Sequence, residues 1–424
     1  MVCPNCNAEI EVKEKEIKYT LCERCNTVYK ICEARSKPHL IFTNIAYCPI
    51  CGDELKVNTD HKNSSFLYHP INQSIKRKWS DPFPLDFTNC NKVFHIVFDA
   101  FLILLSNSGQ CNIFLEQELL ITYSFGIPKL KIITLSYNNR RIVFQATDHS
   151  LYQIEISSLF QKEKPELLSD DIDTFYFDTF NDYLAYAKDK TITIKKNDNT
   201  EKVNEMGKII SICINRDYLF LLTFASNSFF MITRSLTEKR ESKKTLISNE
   251  NIKQIILSGT DKCLAVFIQQ KDTMMLYAGL WNSLINNGIN WEYIELDNHI
   301  TDLLISSDDL IILKYLDRVE IKDIFNLKSG LRNKKIVITD MLSNDLYISL
   351  DGNYLSYAKR DTANTGYNNS LICLLSLSGG EEYIASSIAN FIIDEYSWIN
   401  GNLSSTFNKD GKFMLSWEKI IYEP

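Results

Sequence analysis

At 424 residues the chain is too long for one small core, so two or more domains or a large repeat array are expected. Its 23% charged and 45% hydrophobic residues are those of a folded protein rather than a disordered one. The 46 basic against 53 acidic residues leave a net charge of −7, which argues against a molecule built throughout to track phosphate.

The chain opens on Cys3 and Cys6 followed by a Lys/Glu-rich run, not on the charged-then-apolar order of a signal peptide. No stretch approaches the roughly 20 apolar residues that span a bilayer. The expectation is a cytoplasmic protein. In that reducing setting the twelve cysteines are not a disulfide framework, and closely paired ones read as metal ligands. Seven of them, Cys3, Cys6, Cys22, Cys25, Cys32, Cys48 and Cys51, fall in the first 51 residues. The other five, Cys90, Cys111, Cys213, Cys263 and Cys373, stand among apolar neighbours and read as buried small hydrophobes.

CPNC, a fifteen-residue spacer and CERC give the C-x2-C-x15-C-x2-C pattern of a four-thiolate zinc site. Two short chelating turns each offer two thiolates to one tetrahedral ion, and the segment between them alternates Ile10, Val12 and Ile17 with charges as an exposed ribbon would. A shift of 26 residues nearly repeats the pattern: Cys6 lands on Cys32, Cys22 on Cys48, Cys25 on Cys51, and Cys3 on Tyr29. Cys32 therefore reads as the surviving half of a knuckle in a second ribbon. Its three thiolates need a fourth donor, for which His39 is the nearest candidate and His61 the spare; a second ribbon that has lost its metal is the alternative.

CPNCNAEI and CPICGDEL share a C-P-x-C-x-x-E-aliphatic start, and residues 1–60 resemble a tandem zinc ribbon. The resemblance implies two structural Zn2+ ions, with the ligands Cys3, Cys6, Cys22 and Cys25 for the first and Cys32, His39, Cys48 and Cys51 for the second. Four filled positions leave no open site for a catalytic water. The eight basic and nine acidic residues of this segment make it a poor phosphate tracker.

Residues 61–91 read as a linker followed by an isolated extended segment, FLYHPINQSI, and a turn-rich stretch. Lys76, Arg77, Lys78 and Trp79 form a basic-aromatic cluster that reads either as a solvated charge run or as a binding spot. From residue 92 to 424 one unit recurs: strand, polar turn, strongly apolar strand, polar turn, third strand. The second strands are FLILL at 101, RIVFQA at 141, YLAYA at 183, YLFLL at 218, CLAVF at 263, LIILK at 310, YLSYA at 354 and FMLSW at 413, mostly 35 to 47 residues apart. That period belongs to four-stranded propeller blades. With only 14 glycines in the chain, Asn and Asp must supply much of the turn chemistry.

The interval of 59 residues before the last strand leaves the count open between seven and eight blades. The last unit ends after its third strand, and FLYHPINQSI is expected to supply its missing outer strand, so that no sheet edge stays open. The helical-looking LWNSLINNGI near residue 285 reads as a blade insertion. DGNYLSYAKRD and NKDGKFMLSW resemble the Asp-Gly-x-x-aliphatic second strand of WD-repeat propellers, although no blade ends in Trp-Asp. The fold class expected is mainly β, a tandem zinc ribbon followed by a seven- or eight-bladed propeller.

No phosphate-binding loop, G-x-S-x-G elbow, H-E-x-x-H or kinase signature occurs, and the six histidines have no acidic partner at a telling spacing. No enzyme activity is expected. The combination reads as a non-catalytic adaptor or recognition subunit with protein partners, of the kind found in bacterial regulatory or defence complexes. The rival reading is nucleic-acid recognition by the ribbon and the Lys76–Trp79 cluster.

Overall fold

The computed structural model describes three short strands between residues 19 and 42 by their backbone, then residues 76–421 apart from loop segments, of which the longest are 281–291 and 324–335. The three short strands, Tyr19–Cys22, Thr27–Cys32 and His39–Phe42, form one antiparallel sheet in chain order. The remainder is eight antiparallel sheets, an eight-bladed β-propeller. Blade 1 comprises Val93–Phe98, Phe101–Ser106, Gln110–Leu115 and Glu118–Ser124. Blades 2 to 6 occupy 132–169, 174–204, 208–248, 252–295 and 300–339. Blade 7 comprises Tyr347–Ile348, Tyr354–Arg360, Ser370–Ser376 and Glu382–Ile388. Blade 8 takes Glu395–Ile399, Asn402–Lys409 and Lys412–Ile421 from the C-terminal end.

The chain divides into two compact units, one of Met1–Ile142, Ile154–Pro165 and Met341–Pro424, the other of Val143–Gln153 and Glu166–Asp340. Blades 1, 7 and 8 belong to the first and blades 3 to 6 to the second, and the strands of blade 2 divide between them.

Seven of the eight second strands lie where the apolar runs put them. The eighth does not: FMLSW belongs to the third strand of blade 8, and the second strand is Asn402–Lys409, 48 residues after Tyr354. NLSSTFNK escapes an apolar count because three consecutive interior positions, Ser404, Ser405 and Thr406, carry hydroxyls although they are completely buried. With that correction the long interval disappears and the count is eight. LWNSLINNGI lies outside the described residues.

The closing strand is also displaced from its expected place. FLYHPINQSI lies outside the described residues, and the strand that pairs with the end of the chain is the next one, Lys76–Trp79, with Ile421↔Lys76 and Glu418↔Trp79 in antiparallel register. Phe83–Pro84 continues along the same partner at Met414 and Leu415. Between them Ser80 donates its backbone N–H to Trp417 O at 2.7 Å, and its Oγ accepts from Trp417 N at 3.0 Å. The basic-aromatic cluster is thus an outer strand of blade 8 rather than a free charge run, and the Trp79 indole packs against the blade 7–blade 8 core and donates to Ser386 Oγ at 3.1 Å.

Tight turns use Asp, Asn and Ser as well as glycine. Ser226 (φ 51°) and Asn227 (φ 58°) join strands that pair through Ala225↔Ser228, and Asp410 (φ 53°) and Gly411 (φ 80°) do the same at Lys409↔Lys412. Two left-handed central residues give the primed turns whose twist suits a hairpin. Carbonyls in other hairpin turns tie blade 1 to 2, blade 2 to 3 and blade 3 to 4: Asn107 O accepts from Ile132 N, His149 O from Ile172 N and Asp189 O from Ile209 N, at 2.7–3.0 Å. Apolar clusters then fill the spaces between neighbouring sheets, as Phe220, Met231, Leu264 and Val266 do between blades 4 and 5.

Trp79→Ala is expected to lower the stability of the full chain by roughly 2–4 kcal/mol, since it removes a large packed ring and the indole hydrogen bond to Ser386. Leu120→Ser, at an exposed strand position, is expected to change it by less than about 0.5 kcal/mol. Urea titration followed by far-ultraviolet circular dichroism compares the two.

Candidate metal positions and the polar seam of the closing blade

Three of the eight expected metal ligands fall on described backbone. Cys22 ends the first short strand and sits opposite Thr27; Cys32 ends the second strand and sits opposite His39, the first residue of the third. The residues between Cys22 and Thr27, and Cys3, Cys6, Cys25, Cys48 and Cys51, lie outside the described residues, as does His61. Among the described residues no group of three or more His, Cys, Asp or Glu side chains converges on a point.

The five remaining cysteines stand as expected of apolar packing. Cys111, Cys213, Cys263 and Cys373 are buried and Cys90 is half-buried, its Sγ donating to Lys92 O at 3.1 Å. Burial pushes the Cys373 thiol up to about 11 and the Cys111 thiol higher still. Both are protonated at neutral pH, so neither is a nucleophile or a ready metal ligand.

What the sequence does not reveal is a buried polar seam on both sides of blade 8. On the blade 1 side, His95 Nδ1 is 3.0 Å from Ser397 Oγ and its Nε2 is 2.9 Å from Thr406 Oγ1, while Ser397 Oγ meets Ser404 Oγ at 2.7 Å. On the blade 7 side, Trp398 Nε1 donates to Ser356 Oγ at 3.1 Å, and Ser356 Oγ also meets Tyr396 OH at 3.1 Å. Further out, Ser386 Oγ links the Trp79 indole to the buried Glu418 carboxylate. The first strands of blades 8 and 1 run side by side along this seam.

A serine beside a histidine invites a nucleophile–base reading, but burial excludes it. Ser397, Ser404 and Thr406 expose 2%, 0% and 0% of their surface, so no substrate carbonyl reaches any of these oxygens. The second ring nitrogen of His95 faces a hydroxyl rather than a carboxylate, so this contact does not stabilise an imidazolium as the third member of a triad does. Each ring nitrogen faces a hydroxyl that can either donate or accept, so both are satisfied within the seam. The seam positions strands.

Charged groups elsewhere pair along the blades. Glu320, itself buried, takes Arg318 at 3.0 Å and Lys322 at 3.6 Å, and the Arg318 guanidinium lies 4.1 Å over the Tyr315 ring. In SDDID, Asp173 accepts the Asp189 backbone N–H at 2.7 Å and pairs with Lys208 at 3.4 Å. Asp171 pairs with Lys188 at 2.9 Å, and the hydrogen bond from that ammonium holds its carboxyl below the usual range. These carboxylates brace the turns between blades 2, 3 and 4. No helix among the described residues is long and apolar enough to cross a membrane.

No family model matches the chain, and no curated protein matches it. Among solved structures it is similar to the computationally designed Ika8 protein (12% identity, 79% of this chain and 98% of that one, TM-score 0.49). It is likewise similar to the C-terminal WD40 domain of Sif2 (12%, 79% and 100%, TM-score 0.47) and to Kluyveromyces lactis Hsv2 (14%, 70% and 99%, TM-score 0.45). The eight sheets themselves, rather than these likenesses, carry the fold assignment.

The seam makes opposite predictions for adjacent serines. Ser405 Oγ is buried without a partner, so Ser405→Ala is expected to be neutral or to stabilise by about 1 kcal/mol. Ser404→Ala breaks the contact to Ser397 and is expected to destabilise by roughly 1–2 kcal/mol. Thermal melts of the two single variants beside the parent chain read the difference in sign.

Proposed function

We propose that the chain is a non-catalytic adaptor of a cytoplasmic multiprotein assembly, with the propeller as the docking body and residues 1–60 as a second, zinc-held docking module. The observation that carries this reading is the outer strand of blade 1. Glu118–Ser124 is the last strand of its sheet, and a bulge places Phe114 opposite Leu119 and Ile113 opposite Ile121, so that Leu120 is an inserted residue. Leu119 and Leu120 are 37% and 45% exposed. An apolar outer strand whose outer edge has no partner strand among the described residues is a template for an added strand or an apolar partner surface. Leu167, Val337 and Ile384 stand exposed on the outer strands of blades 2, 6 and 7.

The chemistry found inside the blades favours the same reading. The histidine–hydroxyl set is sealed and the described thiols outside the three short strands are buried or half-buried. The basic cluster on which nucleic-acid recognition would rely contributes its Trp79 ring to the blade 7–blade 8 core, where it is not available to stack on a base.

A tagged full chain purified from its native cells, in nuclease-treated and untreated halves, tests this. A stoichiometric protein partner that survives nuclease is expected, with recovery falling ten-fold or more for the Leu119→Asp/Leu120→Asp variant. Partners that vanish with nuclease would overturn the reading in favour of nucleic acid, and unchanged recovery by the variant would remove docking from the blade 1 strand.

A further inference from the structure

On the premise that the outer strand of blade 1 docks a protein partner, the residues flanking it specify the chemistry of that partner. Leu119 is the Cα partner of Phe114 and stands on the same face of the sheet. Directly opposite positions of an antiparallel pair set Cβ atoms about 4.5–5.5 Å apart. That face is turned toward blade 8, because Phe114 belongs to the buried cluster that contains Phe413, Leu415 and Trp417, and its ring meets Trp417 edge-on at 6.2 Å. From the other side Phe83, brought in by the closing segment and paired with Leu415, sets its ring edge-on to Phe114 at 5.8 Å. Phe114 is 1% exposed, whereas Phe83 and Leu119 are 41% and 37% exposed. The two blades thus present one apolar patch, with a buried aromatic floor and a large side chain raised on each side.

Two contacts fix how the flanks run. Thr88 N donates to Gln110 Oε1 and Phe83 meets Phe114, so residues 88 to 83 on one side track 110 to 114 on the other. Continued in the same direction, Asp81 lies beyond Phe83, and Glu118, opposite Leu115, lies beyond Leu119. Both carboxylates belong to exposed residues, and neither forms an ion pair with a described residue. Asp86 and Lys412, both exposed, stand toward the opposite end. On the closing strand the first basic residue past Asp81 on the face of Lys419 is Lys78, three residues further on, about 10 Å of extended chain. The apolar patch is therefore bordered at one end by two carboxylates with no cation of their own.

We propose that this patch binds an extended segment of a partner protein in which a bulky aliphatic or aromatic side chain stands within about two residues of a lysine or arginine, the separation of Phe83 from Asp81. The apolar side chain lies between Phe83 and Leu119 over the Phe114 ring, and the cation faces Asp81 and Glu118. Exposed charge pairs add little affinity, so the apolar anchor supplies the grip while the carboxylates discriminate against acidic segments and speed the encounter with basic ones. Half of the site arrives with the closing segment, so only a chain with blade 8 closed presents it whole.

The test pans phage-displayed random peptides on the purified full chain and measures the selected peptides in solution by fluorescence anisotropy. Enrichment of peptides that set an apolar anchor beside lysine or arginine is expected. Phe83→Ser and Leu119→Ser should each weaken them at least ten-fold. Asp81→Lys/Glu118→Lys, at exposed positions outside the core, should invert the preference, so that panning on this variant returns acidic flanks. A library that yields no binder, selected peptides without a basic residue, or a charge preference unchanged in the double variant would overturn the class of partner. Affinity that survives both serine variants would overturn the site. In purification from native cells, Phe83→Ser should lose the nuclease-resistant partner as Leu119→Asp/Leu120→Asp does. A partner kept by Phe83→Ser but lost from the blade 1 variant would refute this patch and leave docking on the blade 1 strand intact, whereas absence of any nuclease-resistant partner would refute the docking reading itself.

Discussion

Closure of blade 8 is the constraint on which the propeller depends. Its first three strands end at Ile421, and without a fourth the backbone groups of Lys412–Ile421 would form an open edge. The chain answers with Lys76–Trp79, so a sheet is completed between residues some 340 positions apart. Closing a loop of that length costs roughly 5 kcal/mol of chain entropy beyond a constant. Long-range pairing of this kind makes for slow folding.

The polar seam follows from that constraint. Blade 8 must accept a neighbour on each side and a strand from the far end of the sequence, all in one register. Apolar packing alone tolerates small slips, whereas His95 between Ser397 and Thr406, and Ser356 between Trp398 and Tyr396, allow one alignment. A misregistered closure would leave buried hydroxyls and an imidazole without partners, at about 1–3 kcal/mol each. The unpartnered Ser405 oxygen shows that the seam is not satisfied throughout. Between blades 3 and 4, 4 and 5, and 5 and 6, largely apolar clusters fill the space between the sheets.

Legibility in the sequence tracks this division. Blades joined to their neighbours through apolar second strands announce themselves at 101, 141, 183, 218, 263, 310 and 354, because a continuous aliphatic run of that length between polar turns is the mark of a buried strand. The closing blade misleads twice, for one reason. NLSSTFNK has no apolar run to mark it as a second strand and KRKW reads as a charge run, and only the tertiary setting turns hydroxyls into interior residues and a basic tetrapeptide into an outer strand. A rule that scores burial by apolarity misses strands whose interior faces are satisfied by hydrogen bonds. In the first sixty residues spacing alone picks out thiolate pairs, yet whether Cys32 stands in a turn or at the end of a strand depends on pairing, to which a cysteine count is blind.

The two ends of the molecule are linked through the same strand. Lys76–Trp79 is the first strand of the propeller met after the N-terminal sheet, so the chain runs from that sheet directly into the element that completes blade 8. The hydrogen bonds between Ser80 and Trp417 and the packing of the Trp79 ring hold this strand in place. The junction is a strand paired across four residues, anchored by a packed indole and followed by a second short pairing at Phe83–Pro84. Closure and attachment are therefore one structural problem, solved by one strand.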